Sequence, residues 1–201
     1  PLFKCLAVLT ALALLLGGPA QASALDPAPD PLVAEAVAQV QVEAVYAFTG
    51  GLTGEWPVRI SGQPYRITTR SSLIAESIQQ ATQYAYEQLQ ALGLQVSFHP
   101  WAALGITGRN VIGELPGLTR PDEIILLTAH LDDAPWSGIA PGADDNASGC
   151  VAVLLAAHIL SQYRFERTLR FVFFTGEEQG LLGSQRYAAD IAAQGQDVKA
   201  V

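Results

Sequence analysis

Apolar residues recur along this chain with two different periods, and the change from one to the other lays out its elements. Between 71 and 92, Ile74, Ile78, Ala81, Ala85, Leu89 and Leu92 come at steps of three and four, which gathers them on one face of a helix. Ser71 or Ser72 is placed to cap the start of that helix, and Gly93 to stop it. Three extended runs follow, at 94–101, 108–115 and 123–132. The last, EIILLTAHLD, is apolar on both faces until residue 129, as a central strand should be. A helix over about 147–162, a strand over about 167–175 and a helix over about 180–194 then alternate, and QDVKAV (196–201) begins another strand. Upstream, 33–48 carries enough helix formers for a helix that Gly50-Gly51 ends, while 54–70 reads as loop with short extended pieces. Strands alternating with helices indicate a layered α/β domain with parallel strands at its centre. The PGLTRPDE connection (116–123) predicts a hairpin between the second and third extended runs, and hence a mixed sheet.

Composition narrows the function classes. A net charge of −8 on 201 residues, with lysine only at positions 4 and 199, leaves no basic cluster to meet phosphates and excludes nucleic acid as a partner. Arg164, Arg167 and Arg170 read as a solvated helix end and strand start. Residues 1–24 read as an export signal: Lys4, the apolar run CLAVLTALALLL (5–16), then Ala20-Gln21-Ala22 as a small-x-small cleavage site. The run is too short to span a bilayer, so no membrane span is expected after cleavage and the protein is expected to be secreted or periplasmic. A Pro-rich acidic linker covers 25–35, and 36–201 is the start of a globular domain. That leaves Cys150 as the single mature cysteine, unable to form an internal disulfide and read as a small buried thiol.

Acidic residues then change the picture. The stretch TAHLDDAPWSGIAPGADDNASG (128–149) crowds one histidine and four aspartates behind an apolar strand. Gathered carboxylates repel one another and resist desolvation, so a cation is expected among them. HLDD (130–133) and GEEQG (176–180) each follow a predicted strand, and ADDN (143–146) precedes a helix. Ligands of open α/β sheets bind outside the carboxyl ends of the strands, so the three clusters should meet on one rim. Asp132 is spaced to hold the second ring nitrogen of His130, a role carboxylates take beside metal-bound imidazoles. A carboxylate of Asp144 or Asp145 can bridge two cations. Glu177 and Glu178, as neighbours, should diverge, so that one binds metal and the other takes a proton. Histidine with carboxylates suits zinc, with cobalt or manganese also compatible. Each cluster alone has a structural explanation, as a turn or a helix start; their coincidence at strand ends does not.

In order and spacing, HLDD, APGADDNASG and FFTGEEQGLLGS resemble peptidase family M28, its bacterial leucyl-type aminopeptidases especially, over about residues 40–201. The resemblance implies a three-layer α/β/α sandwich around a mixed, centrally parallel sheet. It also implies a site for two zinc ions and the removal of N-terminal residues from peptides. It assigns His130, Asp145 and Glu178 as metal ligands, with Asp145 bridging and followed by a cis peptide bond. Asp132 becomes the partner that orients His130, and Glu177 the general base. Asp133 and Asp144 match no ligand and are expected to lie behind the site or in solvent.

Family members carry one more aspartate about 27 residues past the metal-binding glutamate, here position 205, and a later histidine. Both fall beyond Val201, so the chain reads as an N-terminal fragment, truncated at the C-terminal side of the fold, that binds metal weakly and catalyses little. His99 and His158 are not taken as replacements: His158 sits in the apolar run LLAAHIL and His99 reads as a surface residue at a strand end. Rival readings are an M20-like peptidase and a single-zinc glutaminyl cyclase, both lacking the ADDN pattern, and a non-catalytic binding ectodomain of the same fold.

Overall fold

The computed structural model describes residues 30–134 and 139–201. The expected export signal, and most of the linker, lie outside the described residues. The chain divides into a leading unit that ends at Ala34 and a larger unit, Glu35–Val201, that carries the sheet and the candidate site.

The predicted helix over 33–48 is two helices, α1 (Pro31–Ala38) and α2 (Val42–Leu52). α1 begins inside the expected linker because Pro31 suits a first helical position and Asp30 accepts the Leu32 N–H at 2.8 Å. α2 runs through Gly50-Gly51 rather than stopping there: both are buried, and a side chain at Gly50 would overlap the Trp56 ring. Close packing, not chain reversal, accounts for that pair. A small hairpin follows, β1 (Val58–Ile60) with β2 (Gln63–Tyr65). The apolar stripe of 71–92 forms α3 (Ala75–Ala91). Neither Ser71 nor Ser72 caps it; the residue ahead of it is Ile74, with no side-chain cap.

Among the described residues the main sheet has five strands: β3 (Gln95–Ala103), β4 (Ile106–Leu115), β5 (Arg120–His130), β6 (Arg167–Phe174) and β7 (Asp197–Ala200), in the order β3-β4-β6-β5-β7. It is mixed, but the hairpin is not where the turn residues suggested. The chain reverses at Leu104-Gly105, joining β3 to β4. β6 then inserts between β4 and β5, antiparallel to the first and parallel to the second. β6, buried at every position from Thr168 to Phe173, gains most at the sheet centre, where both faces are covered.

Helix α4 (Ser148–Leu160) joins α2 and α3 on one face of the sheet, and α5 (Leu182–Ala193) covers the other, giving three layers. The period of two along β6 sorts its side chains between them. Leu169, Phe171 and Phe173 enter the core shared with Leu52, Leu89 and Leu154, while Val172 packs with Ile124, Leu126 and Tyr187. Arg170 also points toward α5 and is buried, donating to Glu114, Tyr187 and Gln196 at 2.6–2.8 Å; it is not a solvated strand start. Leu89, fully buried on α3, is the simplest test of this packing. Leu89→Ala should lower stability by about 2–5 kcal/mol, read as a lower urea midpoint at unchanged slope. A midpoint within error of wild type would contradict the packing of α3 on the sheet.

Candidate metal centre

β5 and β6 run parallel and end in register, His130 opposite Phe174. The Leu131 N–H donates to the Phe174 carbonyl at 2.7 Å, so the segments after the two strands leave the sheet side by side. His130 is the last residue of β5. Asp132 lies two residues on, Glu177 and Glu178 fall in the turn after β6, and Asp145 lies in a π-helical turn, Ala143–Ala147, ahead of α4.

The turn before α4 is irregular where it matters. Asp145 and Asn146 have non-helical backbone angles and the peptide bond between them is cis, as the resemblance implies. Asn146 Oδ1 accepts the Gly149 N–H at 3.0 Å. The side chain of Asp145 is 76% exposed, and its carboxylate comes within 3.1 Å of His130 Nε2. Asp144 is exposed, and its backbone carbonyl accepts the Ser148 hydroxyl.

Glu177 and Glu178 do not diverge. Divergence holds for neighbours on a strand, but Gly176 adopts φ +74° and turns the chain off the sheet. One imidazole nitrogen of His130 and one carboxylate oxygen each from Glu177 and Glu178 lie within 4.8 Å of one another. In the described ion pairs, His130 is the single cationic partner of Asp145 and Glu177. Burial and the negative charges of Asp145, Asp132 and Glu177 raise the pKa of Glu178 above the usual carboxyl range, against the pull of His130. At His130 burial opposes protonation, but Asp132, Glu177 and Asp145 outweigh it and the pKa lies above its ordinary value.

Asp132 is completely buried, 3.8 Å from His130 Nδ1. That is an ion-pair distance, not a hydrogen bond, and Nδ1 finds no hydrogen-bond partner among the described residues. Asp132 instead accepts the Ser72 hydroxyl at 3.2 Å and the N–H groups of Glu177 and Glu178 at 3.3 and 3.4 Å. Ser72 Oγ in turn accepts the Gly176 N–H at 2.9 Å. Ser72, read from sequence as a helix cap, therefore ties the loop after β5 to the turn after β6. Asp133 is buried as well, accepting the Thr69 hydroxyl at 2.8 Å and the Arg70 backbone N–H at 2.6 Å. Thr69, Arg70 and Ser72 were missed because a polar run between a hairpin and a helix looks like surface.

Two further groups hold the turn after β6. Asn110 Oδ1 accepts the Thr175 N–H while its amide donates to the Gly183 carbonyl. Trp101 donates from Nε1 to Thr175 Oγ1 at 2.9 Å, and its ring fills the space that side chains at Gly108, Gly176 and Gly183 would occupy. His99 is not a surface residue: it is in β3, half-buried, with Nε2 3.0 Å from Asp190 and Nδ1 3.2 Å from the Asn110 amide. His158 is exposed on α4, with Phe48 at 6.0 Å between ring centroids. Burial pushes the Cys150 thiol up to about 12; it stays protonated and donates to the His130 carbonyl at 3.1 Å.

Residues 110–201 match the model of peptidase family M28. A probable leucine aminopeptidase 1 of Trichophyton verrucosum is 38% identical over 115 residues, 52% of this chain and 29% of that protein. LapB of Legionella pneumophila superposes with a TM-score of 0.69 at 21% identity, covering 86% of this chain and 46% of LapB. A glutaminyl cyclase of Bacteroides thetaiotaomicron shares the fold at a TM-score of 0.59 and 22% identity, covering 79% of this chain and 59% of that one. The chain thus spans under a third of the fungal relative and under half of LapB. With a mixed sheet between two helix layers beneath these motifs, residues 110–201 are similar in sequence to peptidase family M28.

Proposed function

We propose that the chain is part of an exported zinc-dependent aminopeptidase that releases N-terminal residues from peptides by attack of water on the peptide carbonyl. In this reading His130, Asp145 and Glu178 are metal ligands, with two zinc ions per complete protein. One observation carries it: an imidazole nitrogen and two carboxylates gathered within 4.8 Å at the end of two parallel strands, with a third carboxylate 3.1 Å from that imidazole. This donor set fits a divalent cation, because it concentrates negative charge beside a single neutralisable base and suits zinc in ligand type. A bound zinc ion supplies Lewis acidity toward a carbonyl oxygen and makes a water more acidic.

The protein's own groups do the rest. Glu177, 3.9 Å from His130 Nε2 and one-third exposed, takes the proton of the attacking water and returns it to the leaving amine. Asp132, held by Ser72 and by the N–H groups of the glutamate turn, fixes the His130 ring by charge and keeps Nε2 turned toward Asp145 and Glu177. The exposed carboxylate of Asp145 leaves the site open to a peptide end from solvent. Placement outside the cytoplasm rests on the sequence of residues 1–24; among the described residues no helix is long and apolar enough to cross a membrane.

Glu177→Gln should reduce kcat on aminoacyl p-nitroanilides by about 100- to 10,000-fold with metal content by elemental analysis unchanged. Near-wild-type hydrolysis with metal in place removes Glu177 from the chemistry. One zinc per complete protein, with cyclisation of N-terminal glutamine in place of hydrolysis, would favour the cyclase reading. Zinc affinity should also depend on pH, because His130 and Glu178 bind metal only when deprotonated. Both pKa values are raised, so protons compete at higher pH than for ordinary side chains. Affinity should therefore still be rising above the ordinary histidine value of about 6.5. A calorimetric titration giving constant affinity from slightly acid to slightly alkaline pH would contradict this.

A further inference from the structure

The polar stretch Thr69-Arg70-Ser71-Ser72 is buried at all four positions although it belongs to no helix or strand. Burying a guanidinium costs several kcal/mol unless its N–H groups and charge are satisfied. Arg70 is fully buried, and it meets that cost in an unusual way. Its side chain donates to four backbone carbonyls: Leu131 at 2.7 Å, Leu52 at 2.7 Å, Pro141 at 2.9 Å and Gly142 at 3.0 Å. Its charge faces Asp133, 3.8 Å away.

The four carbonyls belong to three separate segments. Leu131 lies between His130 and Asp132, whereas Pro141 and Gly142 come immediately before the turn that carries Asp145. Leu52, at the end of α2, anchors the group to the body of the domain. A guanidinium is planar, with donors in a fixed fork, so binding both segments sets the distance between them. Neutral donors on separate side chains would hold each segment but leave their separation free.

We infer that Arg70 is a positioning residue, whose guanidinium holds the His130 and Asp145 segments at the spacing a divalent cation requires. This rests on the metal reading above for the cation, though not for the tethering. Residues behind a metal's ligands commonly change affinity by about 10- to 100-fold when altered. Arg70→Lys keeps the charge opposite Asp133 but cannot reach four carbonyls at once.

The test uses the complete protein with Co2+ as the probe, followed by its visible absorption and by calorimetry, together with amide hydrogen exchange of the metal-free protein. Arg70→Lys should weaken Co2+ binding by about 10- to 100-fold and alter the spectrum of the bound ion. It should speed exchange at 131–133 and 143–148 while leaving β6 protected. Wild-type affinity and spectrum in that variant overturn the inference. If wild type itself takes up no Co2+, the metal reading falls, and exchange alone decides: unchanged protection in both segments overturns the tethering, and faster exchange in both supports it. Should Arg70→Lys not fold, Gly142→Ala serves, because its added carbon would lie 2.5 Å from Arg70 Nη2 and push that segment off the guanidinium; it would also lie 2.7 Å from the Asp145 carbonyl, so exchange at 131–133, away from that clash, is the readout that decides. The same Co2+ and exchange changes are expected there, and their absence overturns the inference.

Discussion

The parallel pairing of β5 with β6 is the constraint on which the rest depends. Because the two strands end in register, with His130 opposite Phe174, whatever follows each one emerges at the same height on the same edge. A shift of one residue would turn His130 to the opposite face of the sheet. The core resists that shift, since Leu169, Phe171 and Phe173 must face one helix layer and Val172 the other. Apolar packing several residues below the rim thus determines which polar groups meet at the rim.

Much of this was legible in the sequence, for identifiable reasons. The long periodic segments became α3, α4, β5 and β6 with ends shifted by a few residues, because burial of one stripe or of two faces leaves a local trace. The acidic clusters were legible as a group, because strand ends are local and the sheet brings them together. What failed was non-local. Nothing in PGLTRPDE says that β6 will enter between β4 and β5. Arg70 and Arg170 look like any other arginine until the carbonyls and side chains they bind arrive from elsewhere in the chain. Glu177 and Glu178 were expected to diverge by the rule for strands, at a place where the strand has already ended.

The site is built on two kinds of support. Beneath it lie apolar side chains; around it lies a shell of buried polar groups, including Ser72, Asn110, Asp132, Asp133 and Thr175, each bonded to backbone of another segment. Such groups contribute modestly to net stability but are costly to leave without partners. They therefore specify one arrangement of the loops more than they stabilise the domain. The acidic groups they hold work against folding, since the negative charges around Glu178 repel one another.

The indole of Trp101 carries a consequence for how this sequence can vary. Its ring occupies the space beside Gly108, Gly176 and Gly183, which come from a strand, a turn and a helix. None of the three can gain a side chain while the indole stays, and a smaller residue at 101 would leave a hollow under the glutamate turn. Trp101 and Gly108 can therefore vary only together, through compensating changes, whereas Gly176 is held also by its positive φ and Gly183 by the Thr175 carbonyl and Asn110.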